Sequence, residues 1–284
     1  IDLKGLVLLD GSGDLINTGY GETLPLDKMW EFDFQDLRKA HGDLSHIIRP
    51  AATEGFKNIW YRDLEIPKDA KVTVIDTSKG CVARCTFCHR WTKGLRHVPI
   101  REMKKRVKYL VDNHNVRFLD INAESFGNDK KWLAEFLKIM SFYKITWRAN
   151  GVRANTFDKE WIIKCMKAGC SALGFGNETG SESMLKIMEK KVSLQDNYNA
   201  MRWTIEAGLQ TGIQLVLGMP GESTKTVRET IEYTKFCVTV SDKFDPNNLS
   251  INYAQALPGT ALYEYGRSKG IIGRDIDGEE KYLL

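Results

Sequence analysis

Long apolar runs are missing from this sequence. None approaches the roughly 18 residues needed to cross a bilayer, so no membrane span is expected. The N-terminus also lacks a basic region, a long apolar segment and a small-residue cleavage site, so no secretory signal is visible. Strong charge of one sign is absent too. The formal net charge is +4, from 41 basic and 37 acidic residues, too mild to argue for nucleic acid as a partner. Cysteine is sparse and unevenly placed, at 81, 85, 88, 165, 170 and 237. Three bunched thiols in a large chain read as a metal protein of a reducing compartment, not a disulfide scaffold, so a cytoplasmic location is expected. The first residue is Ile1 rather than methionine, so a fragment or a processed product is expected.

What is present is an ordinary globular composition: 284 residues, 42% hydrophobic and 27% charged, enough for a sizeable core. Residues 1 to 69 are irregular and include Leu24 to Phe34, an aromatic and acidic stretch that reads as a linker or a packing extension. From residue 70 the pattern becomes regular. Strand-like runs near 72–76, 116–121, 145–149, 172–175, 211–217 and 249–254 alternate with helical periodicity. Asp129 and Asp158 stand at helix starts, and further helices fit 182–190, 195–207, 223–238 and 260–269. Strand and helix alternating six times predict an α/β fold with a parallel sheet, curved or incompletely closed, and a ligand site at the carboxyl ends of the strands.

The first strand runs into Gly80 and then Cys81-Val82-Ala83-Arg84-Cys85-Thr86-Phe87-Cys88. Gly80 lets the backbone turn sharply out of the strand. Three thiolates on one loop can converge on a soft metal centre that usually wants four protein ligands, which leaves one position open. The competing reading is a structural zinc site completed by His89 or His97. Such sites usually pair two separated knuckles, and no second knuckle exists here.

The motif Gly-Cys-x3-Cys-x2-Cys, with Phe87 before the last cysteine, resembles the signature of the radical S-adenosylmethionine (radical SAM) superfamily. Weaker matches continue in order from about residue 70 to the end. The resemblance implies a partial (βα)6 barrel over 70–284 behind a linker-like segment, 1–69. It also implies a 4Fe-4S cluster on Cys81, Cys85 and Cys88, with SAM on the fourth iron and Phe87 in the cofactor site. In that family SAM is cleaved reductively to a 5′-deoxyadenosyl radical that acts on a small-molecule substrate. An electron donor such as flavodoxin or ferredoxin is then expected.

Further residues follow from the same resemblance. In Asp120-Ile121-Asn122-Ala123-Glu124, the acid Glu124 corresponds to a residue that contacts the SAM amino group, a charge-assisted bond; the bland alternative is a solvated loop acid. Arg153 matches an arginine of the cofactor site, while Arg148 reads as a strand or surface residue. Gly176-Asn177-Glu178-Thr179-Gly180 resembles the turn whose acid approaches the ribose, with a tight turn and a helix-capping Ser181 as the alternative. Val216 and Gly218, in Val216-Leu217-Gly218-Met219-Pro220-Gly221-Glu222, correspond to the adenine-side segment, and Glu222 is expected to serve the first turn of the helix that follows. Cys165, Cys170 and Cys237 read as buried thiols. Without cysteines before Cys81 or a cluster of them near the C-terminus, one iron-sulfur cluster is the economical reading.

Leu24 to Phe34 and the phrasing of the two glycine turns resemble the cobalamin-associated branch of the superfamily, many of whose members methylate unactivated carbon. A cobalamin-linked C-methyltransferase is therefore expected, with cobalamin bound mainly by a domain outside this chain. A radical cyclase or mutase is the alternative among enzymes, and a non-catalytic zinc module the alternative of another class.

Overall fold

The structure, a computed structural model, describes residues 4, 7–9, 11–12, 15–19, 34–51, 67, 69–89, 94–240, 248–274 and 276–283. The chain divides into two compact units, residues 1–42 and 43–284. In the first, β1 (Val7–Leu9) pairs antiparallel with β2 (Leu15–Asn17), and α1 spans Phe34–His41. The stretch expected to be linker-like, 24–34, lies outside the described residues apart from Phe34. The expected boundary near residue 69 borders 52–66, which also lies outside them.

The larger unit starts its sheet with β3 (Arg49–Pro50) and β4 (Lys71–Asp76). A short hairpin of β5 (Ser78–Lys79) and β6 (Arg96–His97) follows, and then α2 (Ile100–His114) and β7 (Val116–Asn122). The alternation continues through α3 (Lys130–Tyr143), β8 (Thr146–Val152), α4 (Lys159–Lys167) and β9 (Cys170–Glu178). After these come α5 (Glu182–Ile187), α6 (Leu194–Glu206), β10 (Ile213–Leu217), α7 (Thr224–Thr239) and β11 (Leu249–Tyr253). Helices α8 (Ala261–Ser268) and α9 (Ile276–Leu283) end the described chain. Seven strands form one sheet in the order β11-β10-β9-β8-β7-β4-β3, curled into a half-barrel. The six expected strands are parallel to one another. The seventh, β3, is antiparallel to β4 and only two residues long, too short to leave a periodic signal.

Local chemistry explains the element limits. Asp129 accepts from the backbone of Lys131 and Trp132 at 2.9 and 3.0 Å, satisfying two orphan donors at the start of α3. Asp158 accepts from Trp161 N at 2.9 Å to start α4, and Ser193 with Asp196 forms a capping box on α6. The stripe Trp132, Leu133, Phe136, Leu137 and Met140 of α3 is buried. Trp147 lies edge-on to Phe136 at 5.3 Å between ring centres and donates Nε1 to Ala168 O at 2.9 Å. Each such fully buried large side chain contributes on the order of 1.5–3 kcal/mol of burial energy. Together they make the sheet a rigid base for the loops at its carboxyl edge.

One expected helix is shorter than its pattern. The span 182–190 stops at Ile187, because Glu189 and Lys191 take left-handed conformations with φ of 48° and 54°. Lys190 N reaches back to Leu185 O at 3.1 Å, a closing bond of a helix end. No glycine announces this stop, so the periodic residues alone overran it.

Candidate active site

Five strand ends converge on the carboxyl edge of the sheet. The cysteine loop follows β4, Glu124 follows β7, Arg153 follows β8, Glu178 ends β9, and Gly218 follows β10. Gly80 has φ +81°, a conformation that strains any other residue, and its N–H donates to Glu124 Oε1 at 3.1 Å. The carboxylate of β7 thus ties down the entry to the cysteine loop. Thr86 fastens the middle of the loop: its N–H donates to Met188 O at 3.0 Å, its hydroxyl to Ile187 O at 3.1 Å, and its carbonyl accepts from Leu262 N.

Cys81, Cys85 and Cys88 line one cavity of about 360 Å³ together with Phe87, His89, Glu124, Arg153, Glu178, Lys190 and Gln214. Ala83 N–H points at Cys81 Sγ at 3.4 Å, and Arg153 Nη1 lies 4.0 Å from Cys85 Sγ. Burial pushes the Cys88 thiol up, and its neighbours Cys85 and Cys81 add to this, while Lys190 works the other way. Arg153 Nη2 also donates to Lys190 O, which fixes the guanidinium beside the thiols.

The opposing charge comes from β9. Glu178 Oε1 accepts from Lys190 Nζ at 2.5 Å, with both side chains only about a tenth exposed. Glu178 itself has φ +63°, and Thr179 N donates to Asn177 O at 2.8 Å. That bond across one residue, with positive φ at its centre, makes a γ-turn of the rarer, strained kind. The strain is held from behind. Asn197 of α6 donates Nδ2 to Asn177 O at 3.1 Å and to Thr179 O at 3.4 Å. Asn177 donates to Tyr233 Oη at 2.8 Å, and the hydroxyls of Thr179 and Thr230 meet at 2.9 Å. All five side chains are buried.

The residues therefore suit a bulky group bound through sulfur. Three thiols share a cavity with cations and carboxylates, and two bare backbone positions, Gly151 and Gly176, line it. A Cβ at Gly176 would lie 2.7 Å from Glu178 Oε1, and one at Gly151 would run into Ala123 O.

The structure gathers most of the expected site and redistributes the rest. Cys81, Cys85, Cys88, Phe87, Glu124, Arg153 and Glu178 share the cavity; Val216 and Gly218 do not line it. Val216 instead packs with Met184, Met188, Met219, Leu262 and Phe87 in a small buried cluster. Gly218 N–H is taken by Glu222 Oε2 at 2.5 Å, so Glu222 fastens its own turn and does not serve the helix. Ser223 caps α7 instead. Ser181 sits at the start of α5 but turns its hydroxyl to Glu229 and Ser183 and makes no cap bond. Arg148 is a strand residue of β8, as one of its two readings had it, and it is mostly buried against Asp120. His97 stacks on Trp132, away from the cavity, whereas His89 lines it. Lys190 and Gln214 were missed, for neither belongs to a glycine turn or a cysteine motif. Cys165, Cys170 and Cys237 are buried thiols, as expected.

A model of the Radical SAM superfamily matches residues 75–234, more than half of the chain. This chain belongs to the radical SAM superfamily. Among its relatives is the anaerobic magnesium-protoporphyrin IX monomethyl ester cyclase of Cereibacter sphaeroides, 27% identical over 244 residues, covering 76% of this chain and 40% of the cyclase. An uncharacterized methyltransferase of Pyrococcus horikoshii is 26% identical over 205 residues, 70% of this chain and 43% of that protein. The solved structure of the cobalamin-dependent S-adenosylmethionine radical enzyme OxsB, with aqua-cobalamin bound, superposes with a TM-score of 0.67 at 14% identity. That match covers 98% of this chain and 43% of OxsB, and it is a likeness of fold. The chain thus spans well under half the length of each of these proteins. In this superfamily a 4Fe-4S cluster and SAM are the cofactors. Among the described residues, no helix is long and apolar enough to cross a membrane.

Proposed function

We propose that this chain is the radical-generating core of a cobalamin-linked C-methyltransferase, with Cys81, Cys85 and Cys88 as the cluster ligands. The observation that carries the reading is that the three thiols share one cavity with Glu124, Arg153, Glu178 and Lys190 at the carboxyl edge of the sheet. When bound, the cluster and SAM supply an electron transfer that breaks a carbon–sulfur bond and yields a 5′-deoxyadenosyl radical.

The chain's own residues bind and orient. Glu124 has two carboxylate oxygens, one of which takes Gly80 N–H, and the other suits the SAM ammonium. Lys190 and Arg153 bring positive charge to a carboxylate, and Glu178 accepts from ribose hydroxyls. Phe87, packed on the methionine cluster, keeps water from that side. The bare backbone at Gly151 and Gly176 lets a ligand approach closely.

Methylation is supported by the methyltransferase among the relatives and by the fold likeness to a cobalamin enzyme, with cobalamin held mainly by protein outside this chain. The cyclase among the relatives supports a second reading, radical cyclisation of a small molecule. Transfer of a labelled SAM methyl group into the product separates the two. The zinc reading is weaker. Structural zinc sites usually pair two separated knuckles, and no second cysteine knuckle stands in the sequence. A flavodoxin or ferredoxin as electron donor and a cytoplasmic location complete the proposal.

Anaerobic reconstitution tests it. The protein should turn brown, bind about four iron atoms and release 5′-deoxyadenosine from SAM under a strong reductant. Cys85→Ala should lose both the cluster absorbance and the cleavage. Colourless, zinc-loaded protein that never cleaves SAM would sink the reading.

A further inference from the structure

The crossover helices of a parallel sheet cover the outer side of the strands they join. At the last strand this cover is incomplete. An apolar groove of about 360 Å³ runs between α7 and the end of the sheet. Leu215, Leu217, Leu249 and Ile251 line it from the strands, and Val227, Ile231 and Val238 from α7. No residue of α8, the helix after β11, lines it. That helix turns instead to the cysteine loop, where Leu262 N–H donates to Thr86 O at 3.0 Å. Ile251 is left 50% exposed and Ile231 46%, and Tyr253, next on the same side of β11, 76%.

β11 is also the end strand of its sheet, and among the described residues no strand pairs with its outer edge. Ala254 N–H donates to Leu217 O at 2.7 Å, so by alternation the N–H and C=O of Ser250 and Asn252 face β10. Leu249, Ile251 and Tyr253 turn a donor and an acceptor each to the free edge. Exposed edges are commonly blunted by a charge or a proline, which keeps them from pairing with another chain. This strand has neither. No charged residue occurs from Pro246 to Tyr263, in a chain that is 27% charged. The strand is self-complementary as well. Laid antiparallel on a second copy about Ile251, it sets Leu249 against Tyr253 and Ser250 against Asn252. Apolar meets apolar on the groove side, polar meets polar on the other, and no like charges face each other.

We propose that β11 is a dimerisation edge and that its partner is a second copy of this chain, paired antiparallel through Leu249–Tyr253 about a two-fold axis at Ile251. The pairing satisfies the outward N–H and C=O groups of both strands. It also joins the two apolar grooves into one seam, the self-complementary patch that a two-fold interface requires. This inference is independent of the chemistry in the cysteine cavity.

Sedimentation equilibrium of the intact protein, prepared anaerobically, should give a dimer. Ile251→Asp sets two carboxylates across the axis and should weaken that dimer about a hundredfold. Its circular dichroism should be unchanged, because the side chain is half exposed. Tyr253→Ala, which only removes apolar surface, should weaken the dimer about tenfold. The register is tested by Ser250→Cys combined with Asn252→Cys, which brings thiols of the two copies directly opposite and within reach of a disulfide. Diamide should then give a covalent dimer on a denaturing gel, while either substitution alone gives no more than the parent. If the double variant does not fold, the sedimentation of Ile251→Asp decides. A monomer at every concentration, a dimer that Ile251→Asp leaves intact, or a folded double variant that does not cross-link overturns the proposal. Slow amide exchange at Ile251 and Tyr253 in a monomer overturns it too, and shows that other protein of the same polypeptide covers the edge.

Discussion

The cysteine loop and the turn at Asn177 to Ser181 line the same cavity but are built in opposite ways. The loop is held at its entry by Glu124 and at its middle by Thr86, while its three sulfurs have only weak, long contacts. The turn is strained at Glu178 yet braced by a buried lattice of amides and hydroxyls from α6 and α7. On the proposed reading, the difference divides the labour between protein and metal. A carboxylate that must meet a ligand in one position is fixed by the fold before anything binds. Thiols that are to be tied by metal can be left without partners, because metal binding itself supplies the missing bonds.

Four substitutions or titrations put this contrast at risk, each measured by urea unfolding with and without iron. The largest effect belongs to Gly180→Ala. Its new Cβ would lie 2.8 Å from Glu229 O and Thr230 Cα and inside contact distance of Tyr233 Cβ, so a loss of about 3 kcal/mol is expected in both states. Asn197→Leu removes the donor shared by two buried carbonyls and should cost about 2 kcal/mol, again regardless of iron. If either loss vanished on iron loading, the turn would not be prebuilt. Thr86→Val deletes one partly exposed hydrogen bond of the loop and should cost about 0.5 kcal/mol in iron-free protein and less once the thiols are tied.

The smallest effect is a matter of pH. His97 belongs to β6, which closes the cysteine loop by pairing with β5. Burial holds its imidazole below the usual value, with Asp129 partly opposing. The unfolded chain therefore takes up a proton near pH 6.5 that the folded protein resists. Stability from this group is complete above about pH 6.5 and declines as pH falls through the folded-state value. A urea midpoint that drops between pH 7.5 and 5.5 in the parent, and drops less in His97→Phe, is the expected result.

Much of this architecture was legible in the residues alone. Six parallel strands, the aspartate-capped helices and the triple-cysteine loop all have signals confined to a few neighbouring positions. What escaped depends on distance along the chain. Asn197 and Tyr233 brace a turn that lies 20 and 56 residues before them, and nothing in their own surroundings marks them. Lys190 looked like the tail of a helix until two left-handed residues, Glu189 and Lys191, turned it towards Glu178. Glu222 was misjudged because proximity to a helix start suggested the dipole, whereas a closer donor, Gly218 N–H, claimed it.

The left-handed backbone at Glu178 also bears on laboratory evolution. At φ +63° a side chain costs about 1 kcal/mol relative to glycine, so a variant library screened only for soluble, folded protein would drift to glycine there. If Glu178 receives a ligand as proposed, the same library screened for turnover would keep the acid. Sequencing the two pools at this one codon would separate what the fold prefers from what the chemistry demands.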